Sequence, residues 1–347
     1  MIAQTAEVRE QHRFDVGALE RYMRAHVAGF SGALEVTQFR GGQSNPTYHL
    51  VAGGKEYVLR RKPPGKLLPS AHAVDREYRV ITALGTTGFP VPRTYALCED
   101  PEVIGTAFYV MDCVHGRVIT DPKIPGLTPR ERGAIYDSLN ETLARLHTVD
   151  FQKLGLADFG RSGSYFARQI HRWTQQYRAS ETEKIEAMER LIAWLPEHLS
   201  ADDETALVHG DFRLGNTIIH PTEPRVAAVL DWELSTLGHP LADLAYNCLP
   251  YRFTPEWEGL ADKDLAQLGI PTEQEYVAAY CRRTGRAGIP DWEFCLAFSM
   301  FRLAAIAQGI MGRVLAGTAN DPNARERGRR ARPLAEQAWA LVAQRAG

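Results

Sequence analysis

The chain has 347 residues, of which 44% are hydrophobic and 24% charged, and 40 basic and 42 acidic side chains leave a net charge of −2. These are ordinary globular values, and the length allows two lobes with separate cores. The balanced charge predicts no nucleic-acid partner.

No run of eighteen apolar residues occurs, and the charged N-terminal segment MIAQTAEVREQHRF lacks the apolar stretch of a signal peptide. We therefore expect a soluble, cytoplasmic protein without a membrane partner. Five cysteines are scattered without CxxC spacing, which favours reduced thiols over disulfides or a zinc site.

The first hundred residues predict a small lobe over 14–112, preceded by a mobile polar tail at 1–13. A helix is expected from Asp15, a suitable N-cap, to Val27. Extended runs and one further helical run then predict a five-stranded sheet carrying one helix. The predicted strands are 34–40, 48–53, 56–61, 94–100 and 106–114, and the helix is 70–84.

The first turn of this sheet, GGQSNPT at 41–47, is rich in small residues. Small side chains would let backbone N–H groups approach phosphate oxygens. Ser44 and Asn45 are therefore candidates for phosphate contact. An ordinary hairpin turn would have the same composition, so this alternative stays open.

Helical periodicity dominates the remainder and predicts a large, mainly helical lobe over 113–347. Thr128 followed by Pro129 is a clear helix start, and the next helical pattern has Ile135 and Leu139 on one stripe. Further helices are expected at 163–178, 181–195, 273–285, 291–316 and 323–345. The apolar segment 291–316 is interrupted by charges and is interpreted as a core helix.

The most informative stretch is LVHGDFRLGNTIIHPTEPRVAAVLD, in which Asp211 and Asn216 are five residues apart and Asp231 ends an apolar run. Transfer of the γ-phosphoryl group of ATP needs one carboxylate for the attacking hydroxyl and a separate amide and carboxylate for Mg²⁺. A loop with Asp and Asn, followed by a strand that ends in Asp, can supply both. The pattern indicates phosphoryl transfer, with a chance turn as the alternative.

The segment HGDFRLGN resembles the HGDxxxxN loop of the aminoglycoside phosphotransferase and choline kinase family, small-molecule relatives of protein kinases. LDWE resembles the region of the second metal-binding Asp in that family. The resemblance implies a two-lobed, α+β, protein-kinase-like fold that uses ATP and Mg²⁺. It also implies that Asp211 is the catalytic base and that Asn216 and Asp231 bind the metal.

The same resemblance extends into the small lobe. Arg60 occupies the position of the lysine that pairs with the phosphates and with a glutamate of the next helix, here Glu77. Arginine keeps the charge but is longer and planar, so the geometry can differ, and a solvated surface arginine is the alternative. FYVMDCVHG resembles the strand-to-hinge passage, which implies that the backbone of Asp112 and Cys113 binds the adenine edge.

Arg213 lies two residues beyond Asp211, where protein kinases carry a lysine that touches the γ-phosphate. One well-placed donor of this kind stabilises developing charge by about 3 kcal/mol. The alternative is an arginine paired with a carboxylate such as Glu233. In the segment LGHPLADLAYN, family resemblance implies that Asp243 ties down the loop, and His209 is expected to brace it.

YVLRRKPPGKLLPSAHAVDREYRV and VLDWELSTLGHPLADLAYN most resemble phosphotransferase domains fused to, or encoded near, acyl-CoA dehydrogenases. This implies a hydroxyacyl acceptor or its CoA thioester, and a functional link to such a dehydrogenase. Two groups of arginines favour an anionic small molecule, although a run like the second group is usually a solvated helix face. The first group is Arg168, Arg172 and Arg178, and the second is the run Arg325, Arg327, Arg329, Arg330 and Arg332.

Three other functions stay open at this point. The first is an aminoglycoside kinase, the second a nucleotide-binding pseudokinase with a scaffolding role, and the third a CoA-binding regulator. Intact Asp211, Asn216 and Asp231 argue against the pseudokinase.

Overall fold

The first helix of the small lobe begins directly after Asp15, whose carboxylate accepts a 2.9 Å hydrogen bond from the Ala18 amide. This cap satisfies one of the otherwise unpaired N–H groups of the first turn. The computed structural model describes residues 4–40, 45–65, 73–199, 203–319 and 321–343. Within them the small-lobe helices are α1 (Val16–His26), α2 (Val74–Gly85) and α3 (Pro101–Ile104).

The small lobe is built on an antiparallel sheet of six strands in the order β1-β2-β3-β4-β6-β5. Their bounds are β1 Thr5–Ala6, β2 Glu35–Phe39, β3 Thr47–Ala52, β4 Lys55–Arg61, β5 Thr94–Cys98 and β6 Phe108–Asp112. Five strands were predicted, so the strand count is wrong by one. The sixth strand lies in the segment predicted as a mobile tail, whose mobility stays a prediction.

The added strand β1 pairs with β2 through Thr5 opposite Phe39 and Ala6 opposite Gln38. Side chains beyond it also fix the segment: the Gln38 amide oxygen accepts from the Arg9 amide at 3.1 Å, and the Tyr48 hydroxyl donates to the His12 carbonyl at 2.8 Å. A polar segment can thus add to a sheet edge through backbone hydrogen bonds, without an apolar pattern that would reveal it.

The two faces of the sheet have different roles because side chains alternate along each strand. Tyr48, Leu50 and Leu59 belong to a fully buried cluster with Leu19 and Met23 of α1. The alternate residues of β3, β4 and β6 face the other way and form one wall of a cleft. The fold thereby places Arg60 and the end of β6 beside the large lobe.

The large lobe is mainly helical and matches the predicted elements closely. Its helices are α4 Pro129–His147, α5 Tyr165–Ala179, α6 Glu186–Glu197, α7 Pro240–Cys248, α8 Leu265–Leu268, α9 Glu273–Thr284, α10 Trp292–Leu315, α11 Ala324–Arg329 and α12 Ala331–Val342. Thr128 and Glu131 form the reciprocal capping box at the start of α4. The segment predicted as one helix over 323–345 is divided at Arg330.

Helix α10 is long and apolar enough to cross a membrane by length and composition, but 72% of its most apolar 18-residue window is buried inside the protein. It packs against α5, α7, α11 and α12. A helix surrounded by other helices needs apolar side chains around most of its circumference, which agrees with its interpretation as a core helix.

Two small sheets of the large lobe carry the polar residues of interest. Strand β8 precedes His209 and pairs with β11, whereas β9 follows Asn216 and lies between β7 and β10. The bounds are β7 Arg117–Val118, β8 Ala206–Val208, β9 Thr217–Ile219, β10 Val226–Val229 and β11 Thr236–Gly238. The division of the chain into lobes at 112 and 113 stays a prediction.

Candidate active site

The loop between β8 and β9 holds Asp211 and Asn216 in direct contact. The Asn216 side-chain amide donates to the Asp211 carbonyl at 2.9 Å and to its carboxylate at 2.7 Å. Both hydrogen bonds use the amide nitrogen, which leaves the Asn216 amide oxygen as the atom suited to a metal ion. The Asp211 carboxylate is oriented by the same contact.

Asp243, at the start of α7, fixes the preceding turn. Its two carboxylate oxygens accept hydrogen bonds from the backbone amides of His209 at 2.6 Å and Gly210 at 2.8 Å. Burial opposes its ionisation, but the hydrogen bonds from His147 and the His209 amide hold the pKa of Asp243 below its ordinary value. The geometry agrees with the predicted bracing role of Asp243.

His209 connects this turn to the strand that leads to Asp231. Its Nε2 lies 2.8 Å from the Leu230 carbonyl oxygen, and the Leu230 amide donates to the Asn216 carbonyl at 2.9 Å. Asp231 therefore follows a backbone that is bonded to both ends of the Asp211 loop. Its φ of 68° lies in the left-handed region, which Asp tolerates better than most residues.

Arg60 reaches from β4 to three carboxylates. Its guanidinium lies 3.0 Å from Glu77, 2.8 Å from Asp231 and 3.3 Å from Glu233. Burial lowers the pKa of Arg60, but the Glu77 and Asp231 carboxylates outweigh it and the pKa is raised. The structure thus brings the predicted pair Arg60 and Glu77 together and adds Asp231 to it.

Glu77 is only 1% exposed and is the most enclosed carboxylate of this cluster. It accepts hydrogen bonds from the Asn45 amide at 2.9 Å and the Tyr109 hydroxyl at 3.1 Å. Burial raises the pKa of Glu77 to about 7, although Arg60 acts in the opposite direction. The side chain of Asn45 thus supports Glu77, its predicted contact with phosphate stays a prediction, and Ser44 lies outside the described residues.

Arg213 is half-exposed, and its Nε lies 3.5 Å from the Asp211 carboxylate. The carboxylate suggested as its alternative partner, Glu233, is bound to Arg60 instead. The Arg213 guanidinium therefore lies next to Asp211, the predicted base.

Two side chains that support this loop were missed from the sequence. The Tyr246 hydroxyl interacts with the Asp211 carboxylate. Burial raises the pKa of Tyr246, and the neighbouring Asp211 carboxylate raises it further. Arg302 of α10 donates to the Gly210 carbonyl at 2.8 Å, and its guanidinium lies 5.4 Å from the centre of the Tyr246 ring. The three-residue spacing from Asp243 to Tyr246, which places both on one helix face, was the available signal.

A cleft of about 240 Å³ extends from Arg60 and Asp231 to the end of β6. Val58, Met111 and Leu230 contribute apolar walls, while Arg60 and Asp231 lie at its polar part. Apolar walls with a few polar groups are typical of ligand sites. A larger surface groove of about 880 Å³ on the large lobe contains none of the predicted site residues.

Asp112 and Cys113 both line the cleft, as the predicted hinge requires. The Asp112 amide already donates to the Arg93 carbonyl at 2.8 Å, and its carboxylate accepts from the Tyr95 hydroxyl. Of the two backbone groups of Asp112, the carbonyl is therefore the one suited to an adenine edge. The contacts of Asp112 and Cys113 with adenine stay predictions.

The donor set fits a magnesium ion beside phosphates. Mg²⁺ prefers oxygen ligands and binds through one or two carboxylates together with substrate phosphates. The amide oxygen of Asn216 and the carboxylate of Asp231 are of this type, and Arg60 adds a positive charge within 2.8 Å of Asp231. The residues present are thus compatible with a magnesium–nucleotide pair.

An antiparallel small lobe, a mainly helical large lobe and a catalytic loop beside the cleft between them define a kinase-like phosphotransferase fold. The sequence profile described as the phosphotransferase enzyme family (APH) matches residues 35–297. The chain therefore belongs to the phosphotransferase enzyme family, as the HGDFRLGN segment predicted.

Known proteins agree with this membership. A solved structure from Ralstonia eutropha JMP134, provisionally described as an aminoglycoside phosphotransferase, is 54% identical, with a TM-score of 0.90, and the match covers 96% of this chain and 99% of that one. Choline kinase from Cryptosporidium parvum has a TM-score of 0.66, with 96% and 97% coverage, but at 13% identity it supports the fold alone.

A curated relative from Mus musculus, acyl-CoA dehydrogenase family member 10, is 48% identical over 342 residues. These residues are 97% of this chain but 32% of the relative. The chain thus spans about a third of that protein. Its resemblance to phosphotransferase domains associated with acyl-CoA dehydrogenases is confirmed at the level of sequence.

Proposed function

We propose that the protein transfers the γ-phosphoryl group of MgATP to a hydroxyl of a small molecule. The observation that carries this proposal is the contact of the Asn216 amide with the Asp211 carboxylate at 2.7 Å, in a loop joined through Leu230 to Asp231. This arrangement supplies a carboxylate for the acceptor and separate ligands for the metal, as phosphoryl transfer requires.

Each polar group has a distinct role in this proposal. The Asp211 carboxylate orients the acceptor hydroxyl and receives its proton, while Asn216 and Asp231 hold Mg²⁺. When bound by these residues, Mg²⁺ would supply positive charge next to the phosphate oxygens. Arg213, 3.5 Å from Asp211, donates to the transferred group.

The nucleotide would occupy the cleft with its base between Val58, Met111 and Leu230. Its phosphates would then lie toward Arg60 and Asp231, whose ion pair must rearrange to admit them. Binding energy from the apolar base is available to offset this rearrangement.

For the acceptor we propose a hydroxyacyl compound or its CoA thioester, supported by the sequence relationship to a protein named for acyl-CoA dehydrogenases. A functional link to such a dehydrogenase, and a cytoplasmic location supported by five free thiols, belong to the same proposal.

The preference for an anionic acceptor receives uneven support from the arginines. Arg178 forms an ion pair with Glu189, and Arg332 does so with Glu183, so these cations are partly neutralised. Arg172 is exposed and packs over Trp173 with its guanidinium 5.5 Å from the ring centre. Exposed Arg172 is therefore one candidate for contact with an anion.

A ³¹P nuclear magnetic resonance assay of ATP consumption tests the proposal against hydroxy acids, their CoA esters, choline and an aminoglycoside. We expect transfer to a hydroxyacyl compound in the native protein and a strongly reduced rate of transfer in Asp211→Asn. Transfer to the aminoglycoside alone would show that the acceptor is an aminoglycoside and not a hydroxyacyl compound. ATP binding without transfer to any acceptor would favour the pseudokinase, and CoA binding independent of Mg²⁺ and ATP would favour the regulator.

A further inference from the structure

Three side chains with nitrogen, oxygen and sulfur donors meet at the hinge end of the small-lobe sheet, and a fourth, His115, contacts one of them. His49 Nε2 and His115 Nε2 lie 2.8 Å and 3.3 Å from the same Glu56 carboxylate oxygen. The ligand atoms of His49, Glu56 and Cys113 all lie within 4.8 Å of one another. None of these four residues is a proposed ligand of magnesium.

The sheet explains how residues far apart in sequence reach one place. His49 on β3 pairs with Val58, and Glu56 on β4 pairs with Val51, so the two side chains are close across neighbouring strands. Cys113 directly follows β6, whose last residue pairs with Tyr57 of β4. Cysteine spacing in the sequence gave no indication of a metal site because these ligands come from three separate strands.

The donor types select one class of ion. Thiolate and imidazole favour zinc and related transition metals, whereas Mg²⁺ prefers oxygen alone. Zinc sites place ligand atoms about 2.0–2.3 Å from the ion, and hence roughly 3–4 Å from one another. The separations among His49, Glu56 and Cys113 exceed this range by about 1 Å at most, which small side-chain rotations remove, and His115 lies 3.3 Å from the Glu56 carboxylate.

The position of the cluster also suits a metal ion. His49 is 8% exposed, Cys113 and Glu56 are half-buried, and the His115 side chain is 50% exposed. The sheet therefore holds His49, Glu56 and Cys113 in place. A metal ion could reach them from solvent on the side of the exposed His115. An ordinary His49–Glu56 ion pair would not require Cys113 and His115 beside the same carboxylate.

We propose that His49, Glu56, Cys113 and His115 form a binding site for a divalent transition-metal ion of the zinc class. The ion would tie β3, β4 and the hinge together at one end of the cleft, because Cys113 also lines that cleft. This site is distinct from the oxygen-donor site at Asn216 and Asp231, and it does not depend on the proposed phosphoryl transfer.

The test uses the full-length protein, freed of metal with a chelator and titrated with Co²⁺, which replaces zinc and reports a thiolate ligand by a charge-transfer absorption band. We expect the band to saturate at one equivalent, to disappear when Zn²⁺ is added, and to be absent from Cys113→Ser. His115→Gln alters an exposed ligand and should weaken Co²⁺ binding roughly tenfold.

Two variants serve as controls. Cys281→Ser changes a buried thiol on α9 and should keep the band, and Asp231→Asn removes a proposed magnesium ligand and should also keep it. A native protein without the band, or a band that persists in Cys113→Ser, would overturn the proposal. If Cys113→Ser fails to fold, as judged by circular dichroism, a band unchanged in intensity and affinity in His115→Gln overturns it instead.

Discussion

Arg60 and Asp231 are 171 positions apart in sequence, yet their side chains meet at 2.8 Å across the cleft. The contact joins β4 of the small lobe to a residue two positions beyond the end of β10 in the large lobe. Arg60 also forms ion pairs with Glu77 and Glu233, so one guanidinium contacts three carboxylates. A bound nucleotide and its metal ion would have to redistribute these charges.

Replacing Arg60 should therefore affect both stability and nucleotide use. Arg60→Met leaves Glu77 and Asp231 without their common cation, and removing one partner of a buried pair destabilises by about 3–5 kcal/mol. Arg60→Lys keeps the charge but cannot reach several carboxylates with a planar fork, so a smaller loss is expected. Urea unfolding monitored by circular dichroism measures both free energies of unfolding.

Arg79→Met is the matched control, since Arg79 pairs with the exposed Asp158 and should change the free energy of unfolding by less than about 1 kcal/mol. If Arg60→Met and Arg79→Met lowered the free energy of unfolding equally, Arg60 would not have the special role in stability that its contacts with three carboxylates predict.

Asp211→Asn tests the proposed base. The amide keeps the volume and can still bond to neighbouring groups, but it cannot accept the proton of the acceptor hydroxyl. We expect kcat to fall by roughly 10²–10⁴-fold. Nucleotide affinity, measured by calorimetry with a non-hydrolysable analogue, should stay within a factor of a few, because Asp211 is not a predicted nucleotide ligand. Unchanged kcat would exclude Asp211 as the base.

Much of the fold could be predicted because local signals agreed with tertiary packing. Thr128 and Asp15 marked helix starts that the structure confirms. The polar β1 strand was missed because edge pairing uses backbone groups and leaves no apolar pattern. Helix 323–345 was predicted as continuous because nothing in the apolar spacing indicated the break at Arg330.

Only those residues of the candidate site that belong to a sequence motif could be predicted. Asp211, Asn216 and Asp231 lie in one segment, and the structure brings that segment together. Tyr109 was missed because it reaches this cluster through strand pairing opposite Arg60 and a hydrogen bond to Glu77. Glu233 was considered only as a partner of Arg213, because sequence distance does not show that a short turn brings it to Arg60. The cofactor roles of the motif residues stay predictions that the variants above address.

Arg213→Ala tests stabilisation of the transferred group. The side chain is half-exposed and 3.5 Å from Asp211, so its removal should leave folding unchanged. If it donates to the developing charge, kcat should fall by about 10²-fold or more, and Arg213→Lys should recover part of the loss. Steady-state kinetics at saturating ATP distinguish this from weaker binding. Unchanged turnover in Arg213→Ala would show that the arginine has no such role.

Glu77 should make stability depend on pH. Burial raises its pKa from an ordinary 4.5 to about 7, so the folded protein binds more protons than the unfolded chain between these values. The contribution of Glu77 to the free energy of unfolding is therefore fully present below pH 4.5 and is lost as pH rises to about 7, by about 3 kcal/mol at most.

Glu77→Gln removes this titration while keeping a side chain that can bond to Tyr109. The difference in the free energy of unfolding between native and variant proteins, measured by urea unfolding at several pH values, should fall across that range. A difference that stays constant with pH would show that Arg60 keeps Glu77 ionised throughout.

Asp243 tests how far the catalytic loop depends on a single buried carboxylate. Both of its oxygens accept backbone hydrogen bonds, from His209 and Gly210, and Asn can supply only one acceptor oxygen. Asp243→Asn therefore places an amide donor against a backbone N–H. We expect a loss of about 1–3 kcal/mol in the free energy of unfolding and a lower kcat, because the turn that positions Asp211 is no longer fixed.

The pH dependence gives Asp243→Asn an independent signature. Since hydrogen bonding holds the pKa of Asp243 below its ordinary 3.8, its stabilising contribution is present above that pH and is lost as pH falls through the lower, folded-state value. The native protein should thus lose its advantage over Asp243→Asn in acid. Asp158→Asn, at an exposed ion pair, serves as the control and should show little change in kcat. An Asp243→Asn protein with native kcat would show that Asp211 is positioned by Asn216 and Tyr246 without this brace.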